Sequence, residues 1–143
     1  MLLSSFLFYQ VRSIYYTKVK GDQTFPKEEK LKSRKLIGQI FSEGSVVKAY
    51  PIRIQFIFHD IEDFPPCQVG VSVPKRIFKK AVDRNRIKRQ IKEAYRLNKS
   101  QFVDTLIRKQ KKLAMMIIFS SKDKLDYSKI EELMISVLDK IRI

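Results

Sequence analysis

The sequence predicts an α+β fold, a mixed sheet of about four strands with three helices, and three features of its hydrophobic pattern carry that prediction. Two stretches, Ile52 to Phe58 and Cys67 to Val73, alternate apolar and polar residues as half-buried strands do. A near-continuous apolar run, Leu113 to Phe119, has the character of a buried strand. Apolar residues return at helical spacing in three segments, near 33–43, 83–97 and 127–141. The succession of strand, helix and strand over 67–119 makes a βαβ unit.

In chain order, Phe25-Pro26-Lys27-Glu28-Glu29-Lys30-Leu31 reads as a turn. Ser33 then caps a short amphipathic helix whose apolar positions are Leu36, Ile37, Ile40 and Phe41, and Gly44 suits the position just past its end. Val46 to Ala49 is a short, weak strand signal. In the strand at 52–58, Ile52, Ile54, Phe56 and Phe58 alternate with Arg53, Gln55 and Ile57. After an acidic, proline-terminated loop over 60–66, Cys67, Val69, Val71 and Val73 alternate with Gln68, Gly70 and Ser72, and Pro74 ends the strand. If these two strands pair, their second face is a shallow polar floor. It is either the ordinary solvent side of an antiparallel sheet or a bed for an extended chain. The last helix carries Ile130, Leu133, Met134, Val137, Leu138 and Ile141 on one face, with Ser128 and Glu131 spaced as a capping box. Met134 is core filler there.

The most unusual stretch is Lys75 to Lys99, with eleven Lys or Arg against two acids, Asp83 and Glu93. On a helical wheel Ile87, Ile91 and Ala94 form the buried stripe. Asn85, Lys88, Arg89, Lys92 and Arg96 gather opposite, with Arg84 and Arg86 on the flanks. The reading has Asp83 as N-cap, a helix from about Asp83 to Leu97, and an exit at Asn98-Lys99-Ser100. An ordinary solvated helix face mixes charges for i, i+4 pairing, whereas this one has Glu93 alone to offer.

At 143 residues the chain is long enough for one hydrophobic core. A net charge of +15 calls for a polyanion or an acidic membrane surface as partner. One cysteine, Cys67, excludes an internal disulfide, and with a single histidine, His59, it cannot build a Cys/His zinc site. Cys67 reads as a packed core thiol and His59 as a strand-end surface residue; the expected compartment is the cytoplasm. Met1 to Val11 is apolar, but it lacks a basic lead, a small-x-small cleavage site and the length of a membrane span. Residues 1–24 are therefore expected to be a poorly ordered extension, and 25–143 a single domain.

The run Ala81-Val82-Asp83-Arg84-Asn85-Arg86-Ile87-Lys88-Arg89 closely resembles the signature of the bacterial ribonuclease P protein component, a family that carries an Arg-Asn-Arg motif on this helix. Lys27 to Leu31 and Phe41 to Gly44 match the family as well, so the resemblance covers about Phe25 to Ile143. Ile37 stands where the family commonly has an aromatic residue. The resemblance implies a fold similar to the second domain of ribosomal protein S5, with a left-handed βαβ crossover. It also implies binding to the catalytic RNA of ribonuclease P, and a cleft of sheet and first helix that contacts the single-stranded 5′ leader of precursor tRNA. Residues expected at the catalytic RNA are Lys75, Arg76, Lys79, Lys80, Arg84, Asn85, Arg86, Lys88, Arg89, Lys92 and Arg96. Those expected at the leader are Phe41, Arg53, Gln55, Gln68 and Ser72.

The sequence offers no catalytic set of its own. Its acids are scattered, Asp60, Glu62 and Asp63 in one loop and Glu131 and Glu132 on the last helix, where a two-metal nuclease needs converging carboxylates. Four glycines form no phosphate-cradling loop, and one histidine cannot convincingly serve a nucleophilic triad. The expectation is a binder without catalytic or metal-ligating residues, in a particle whose Mg²⁺ is held by RNA. RNA suits the pattern better than DNA, because no helix-turn-helix partner accompanies the basic helix. A ribosome-type RNA-binding protein fits charge and fold equally. Membrane-surface binding does not fit, since the apolar face of the basic helix is too narrow.

Overall fold

The computed structural model describes residues 25–143, so the expectation for 1–24 lies outside the described residues. Lys27–Glu29 form a single 3-10 turn. Helix α1 is Arg34–Glu43. Strands β1, Ser45–Ala49, β2, Ile52–His59, and β3, Cys67–Ser72, follow. Helix α2 is Ala81–Arg108, strand β4 is Lys112–Phe119 and helix α3 is Tyr127–Asp139.

The four strands form one sheet in the order β1-β2-β4-β3. β2 pairs antiparallel with β1 and with β4, whereas β3 pairs parallel with β4. β2 and β3 therefore do not pair with each other, contrary to the arrangement from which the polar floor was drawn. The reason lies in β4, which is buried at every position from Leu113 to Phe119. A strand apolar on both faces belongs at the centre of a sheet, and β4 separates the two half-polar strands.

The inward side chains of β2, β3 and β4 pack under α2 and α3. Ile52, Ile54, Cys67, Val69, Met115, Ile117 and Phe119 meet Ile87, Ile91, Ala94, Phe102, Leu106, Ile130, Met134 and Val137 in one core. The expected packing role of Met134 and the core position of Cys67 are both seen here. Burial drives the Cys67 thiol up to about 12, so at neutral pH it is an inert thiol. The opposite sheet face holds a smaller cluster, in which Leu31, Leu36 and Ile40 cover Ala114, Met116 and Ile118.

Several helix boundaries differ from the sequence reading. α2 spans 28 residues, about 42 Å at 1.5 Å per residue, and continues eleven residues past Leu97. The apolar stripe simply resumes at Phe102, Val103, Leu106 and Ile107. The amide of Asn98 donates back to the Ala94 carbonyl at 2.8 Å, and so the side chain joins the helix instead of ending it. Asp83 lies inside the first turn and the N-cap is Lys80. Ser33 does cap α1, its Oγ accepting from the Leu36 N–H at 3.3 Å. Gly44 follows α1 with φ −68°, outside the left-handed region. Glycine is required there because a Cβ would strike the Ile40 carbonyl. α3 is capped by Asp126, which accepts from the Lys129 N–H at 3.1 Å, rather than by Ser128 with Glu131. Glu131 accepts from the Tyr127 hydroxyl at 2.6 Å instead.

Candidate nucleic-acid interface

The outward face of α2 is the first part of the site. Ile87, Ile91 and Ala94 are buried, while Asn85, Arg86, Arg89 and Lys92 are exposed. Lys88 is half-buried at the edge of the stripe. The wheel that buries Ile87 and Ile91 places Arg84 on their side, three and seven residues earlier. Its guanidinium accordingly turns back and donates to the carbonyls of Phe78 and Lys79, both at 2.8 Å. Arg84 is thus a clamp on the preceding loop. Phe78 anchors that loop from inside, buried against Phe119 with ring centroids 6.3 Å apart. The loop's cations, Lys75, Arg76, Lys79 and Lys80, are all exposed beside the helix.

Two acids tie this surface down. Asp83 meets Lys124 at 2.9 Å, and the hydrogen bond from Lys124 holds its carboxyl below the usual range. Glu93 receives Arg96 in a fork, with Nε at 2.9 Å, and this bond likewise lowers the Glu93 carboxyl. Arg96 is therefore partly neutralised. Asn85, Arg86, Arg89 and Lys92 form the exposed centre of the face.

The second part is the α1 side of the sheet. Strand register arranges its side chains in rows across the sheet. Lys48, Arg53, Ile118 and Ser72 make one row, and Val46, Gln55, Met116 and Gly70 make the next. Ile57, Ala114 and Gln68 make a third. The floor expected as wholly polar is thus polar at β2 and β3 and apolar along β4, where α1 sits. On α1, Leu36 and Ile40 face the sheet. Gln39 and Glu43, with Ser45 and Phe56 to Phe58, line a hollow on one flank. Arg34, Ile37 and Phe41 share the other flank at i, i+3, i+7 spacing. Phe41 is 49% exposed, a large aromatic surface left in water.

Three buried polar atoms on this face lack hydrogen-bond partners among the described residues, the Arg53 Nε, the Gln68 Oε1 and the His59 Nε2. Gln68 Nε2 donates to the Glu28 carbonyl at 3.1 Å. Arg53 stands directly opposite Lys48 across the β1–β2 pair, a like-charge pairing that costs stability. A cleft with a doubled positive charge and orphaned polar groups suits an anionic, hydrogen-bonding strand. The two surfaces adjoin, since Ser72 at the end of the first row is three residues from Lys75.

A long-range feature escaped the sequence reading. Lys99 and Glu29 form a buried ion pair at 2.6 Å, their side chains 1% and 6% exposed. Phe25 packs edge-on against Tyr95 at 5.7 Å and lies under the Lys99 ammonium at 5.8 Å. Leu31 N–H donates to the Val69 carbonyl at 3.0 Å. The segment before α1 is thereby fixed to both α2 and the edge of β3. No local pattern signals a pair separated by 70 residues.

His59 closes β2 at the strand end as expected, but half-buried instead of on the surface, and it accepts from the Ile61 N–H at 3.2 Å. Burial, and secondly Lys112, lower its pKa.

A basic α+β protein with one cation-faced helix running into a half-covered sheet is a protein shaped to meet a polyanion. Comparison with known proteins makes the class specific. The ribonuclease P family model matches residues 25–142. The chain is 34% identical over 115 residues to the ribonuclease P protein component of Porphyromonas gingivalis, covering 80% of this chain and 84% of that one. It is 32% identical over 119 residues to that of Dictyoglomus turgidum, covering 81% and 91%. The fold is shared with the ribonuclease P protein of Thermotoga maritima, at TM-score 0.64, 23% identity and coverage of 80% and 98%. It is also shared with that of Staphylococcus aureus, at TM-score 0.62, 22% identity and coverage of 78% and 93%. The chain belongs to the ribonuclease P protein family, and its place is in tRNA processing as a protein component of that ribonucleoprotein. No helix among the described residues is long and apolar enough to cross a membrane.

Proposed function

We propose that the protein is the accessory subunit of a cytoplasmic ribonuclease P in which RNA performs the cleavage and the protein positions it. The exposed face of α2 and the 75–80 loop hold the catalytic RNA through phosphate contacts. The cleft beside α1 holds the single-stranded 5′ leader of precursor tRNA, with Phe41 for a base to stack on and Arg53, Gln55, Gln68 and Ser72 along the floor.

The observation that carries the reading is the junction of the two surfaces: a face of one charge sign leads through a clamped loop into a cleft with orphaned polar atoms. Among the described residues no three His, Cys, Asp or Glu side chains are grouped to hold a metal ion. We assign the Mg²⁺ of the reaction to the RNA. The protein's own contribution is electrostatic: it offsets phosphate repulsion between catalytic RNA and substrate.

The test is reconstitution. Protein freed of RNA should leave precursor tRNA intact with or without Mg²⁺, and adding the catalytic RNA with Mg²⁺ should yield the mature 5′ end. Metal-dependent cleavage by RNA-free protein would overturn the assignment of catalysis.

A further inference from the structure

The segment that leads into α1 carries a second cationic cluster, which adjoins the cleft through Arg34 and has been given no role so far. Lys30, Lys32, Arg34 and Lys35 fall within six residues with no acid between them, and all four are exposed. None of the four forms an ion pair with another described residue.

Their placement opposes local stability. Arg34 and Lys35 occupy the first turn of a ten-residue helix that has no acidic residue there. The positive end of the helix dipole favours carboxylates in that turn and disfavours cations in their place. α3 also carries a cation in its first turn, Lys129, but there the Asp126 cap and an ion pair to Glu132 at 3.7 Å offset it. Cations kept against a local cost call for an anion that is not part of the fold.

The fold puts the cluster at one end of the cleft. Lys30 bridges to Val69 at the outer edge of β3, and Leu31 lies over Gly70, within 3.7 Å of where a Cβ would be. Arg34 shares its helix flank with Ile37 and Phe41, the flank away from the Gln39/Glu43 hollow. Lys48 and Arg53 stand at the β1–β2 end of the same cleft. Four strands at about 4.8 Å spacing separate the two cationic ends by roughly 14 Å.

We infer that Lys32, Arg34 and Lys35, with Lys30 beside them, are a phosphate-holding point for the RNA strand that lies in the cleft. They grip its backbone where it passes the β3 edge. This rests on the leader reading above and extends it from a floor to a track anchored at both ends. The ligand chemistry is the RNA phosphodiester backbone, without base selection. The cluster should therefore act equally on leaders of any sequence.

The experiment uses the complete protein assembled with its catalytic RNA and a triple charge reversal, Lys32→Glu, Arg34→Glu and Lys35→Glu. Thermal unfolding of the free protein should occur at the same or a higher temperature, because acids now sit at the helix start. Affinity for leader-bearing precursor tRNA should fall at least about tenfold at low salt. The slope of log affinity against log salt should become shallower by up to about 2, at ~0.7 per single-strand contact. Affinity for leaderless tRNA should stay within about twofold. A milder variant with glutamine at the three positions should show the same selectivity with a smaller loss. Equal losses for both substrates, no loss, or a loss confined to assembly with the catalytic RNA would overturn the inference. Should the unaltered particle itself fail to distinguish leader-bearing from leaderless tRNA, the leader reading falls and this inference with it.

Discussion

The two faces of the sheet are built to different ends. One is sealed by α2 and α3 over a continuous core from Ile52 to Phe119, closed at its margin by the buried Lys99–Glu29 pair. The other is covered by ten residues of α1, whose buried side chains Leu36 and Ile40 rest on the apolar strip of β4. Beyond that strip the row of Lys48, Arg53 and Ser72 stays uncovered by an apolar partner. The sealed face supplies the stability, and the half-covered face keeps the polar and cationic groups that a nucleic acid can use. A protein of this size with both faces sealed would have no cleft.

The largest expected effect lies on the sealed face. Replacing one partner of the buried pair, as in Lys99→Met, removes the ion-pair partner of the other buried charge and should cost about 3 to 5 kcal/mol in urea unfolding. The double replacement Glu29→Leu with Lys99→Met should recover most of that loss. Single variants within 1 kcal/mol of the parent would show that the pair is not desolvated in solution.

Matched cavities sharpen the comparison. Ile40→Ala under α1 and Ile130→Ala under α3 remove side chains that are both fully buried, and each should cost about 2 to 5 kcal/mol. Under conditions where both remain folded, loss of leader-dependent affinity should follow Ile40→Ala alone, because α1 is a wall of the cleft. Equal binding losses from both would mean that the faces are not separable.

Smaller effects belong to the α2 surface. Arg84→Ala should cost roughly 1 kcal/mol of stability through its hydrogen bonds to the Phe78 and Lys79 carbonyls. Asp126→Ala, which removes the α3 cap, should cost about as much and leave RNA binding unchanged. Arg86→Ala and Arg89→Ala should move stability by less than about 0.5 kcal/mol. Each should nonetheless shallow the salt slope of binding to the catalytic RNA by ~0.7 to 0.9. Unchanged slopes in both arginine variants would return the face to an ordinary solvated one.

How far the sequence revealed this arrangement depends on the range of the interaction. Period-two alternation in β2 and β3 and period-3.6 spacing in α1 and α3 are local, and those elements stand where the pattern put them. The exposed cations of α2 were legible for the same reason. The end of α2 was misplaced because Asn98, Lys99 and Ser100 look like an exit. Lys99 is polar in sequence and buried in fact, its charge met by Glu29 far away in the chain. The polar floor was half legible: the alternation identified Arg53, Gln55, Gln68 and Ser72, but strand order is a tertiary fact, and β4 came between them. Residue type groups Arg84 with the phosphate contacts, whereas the wheel that buries Ile87 and Ile91 carries it to their side, where the preceding loop offers it the Phe78 carbonyl.

The most direct test of the two-surface account is a pair of binding titrations with the assembled particle carrying Ser72→Trp. Ser72 ends the open row of the cleft beside Ile118 and lies off the exposed face of α2. A bulky ring there should obstruct the strand's bed without touching Arg86, Arg89 or Lys92. Contacts of this kind are worth roughly 1 to 3 kcal/mol per base, so affinity for leader-bearing precursor tRNA should fall about tenfold or more. Affinity for tRNA lacking the leader should stay within twofold. Equal losses for the two substrates would contradict the account and place the leader elsewhere on the protein.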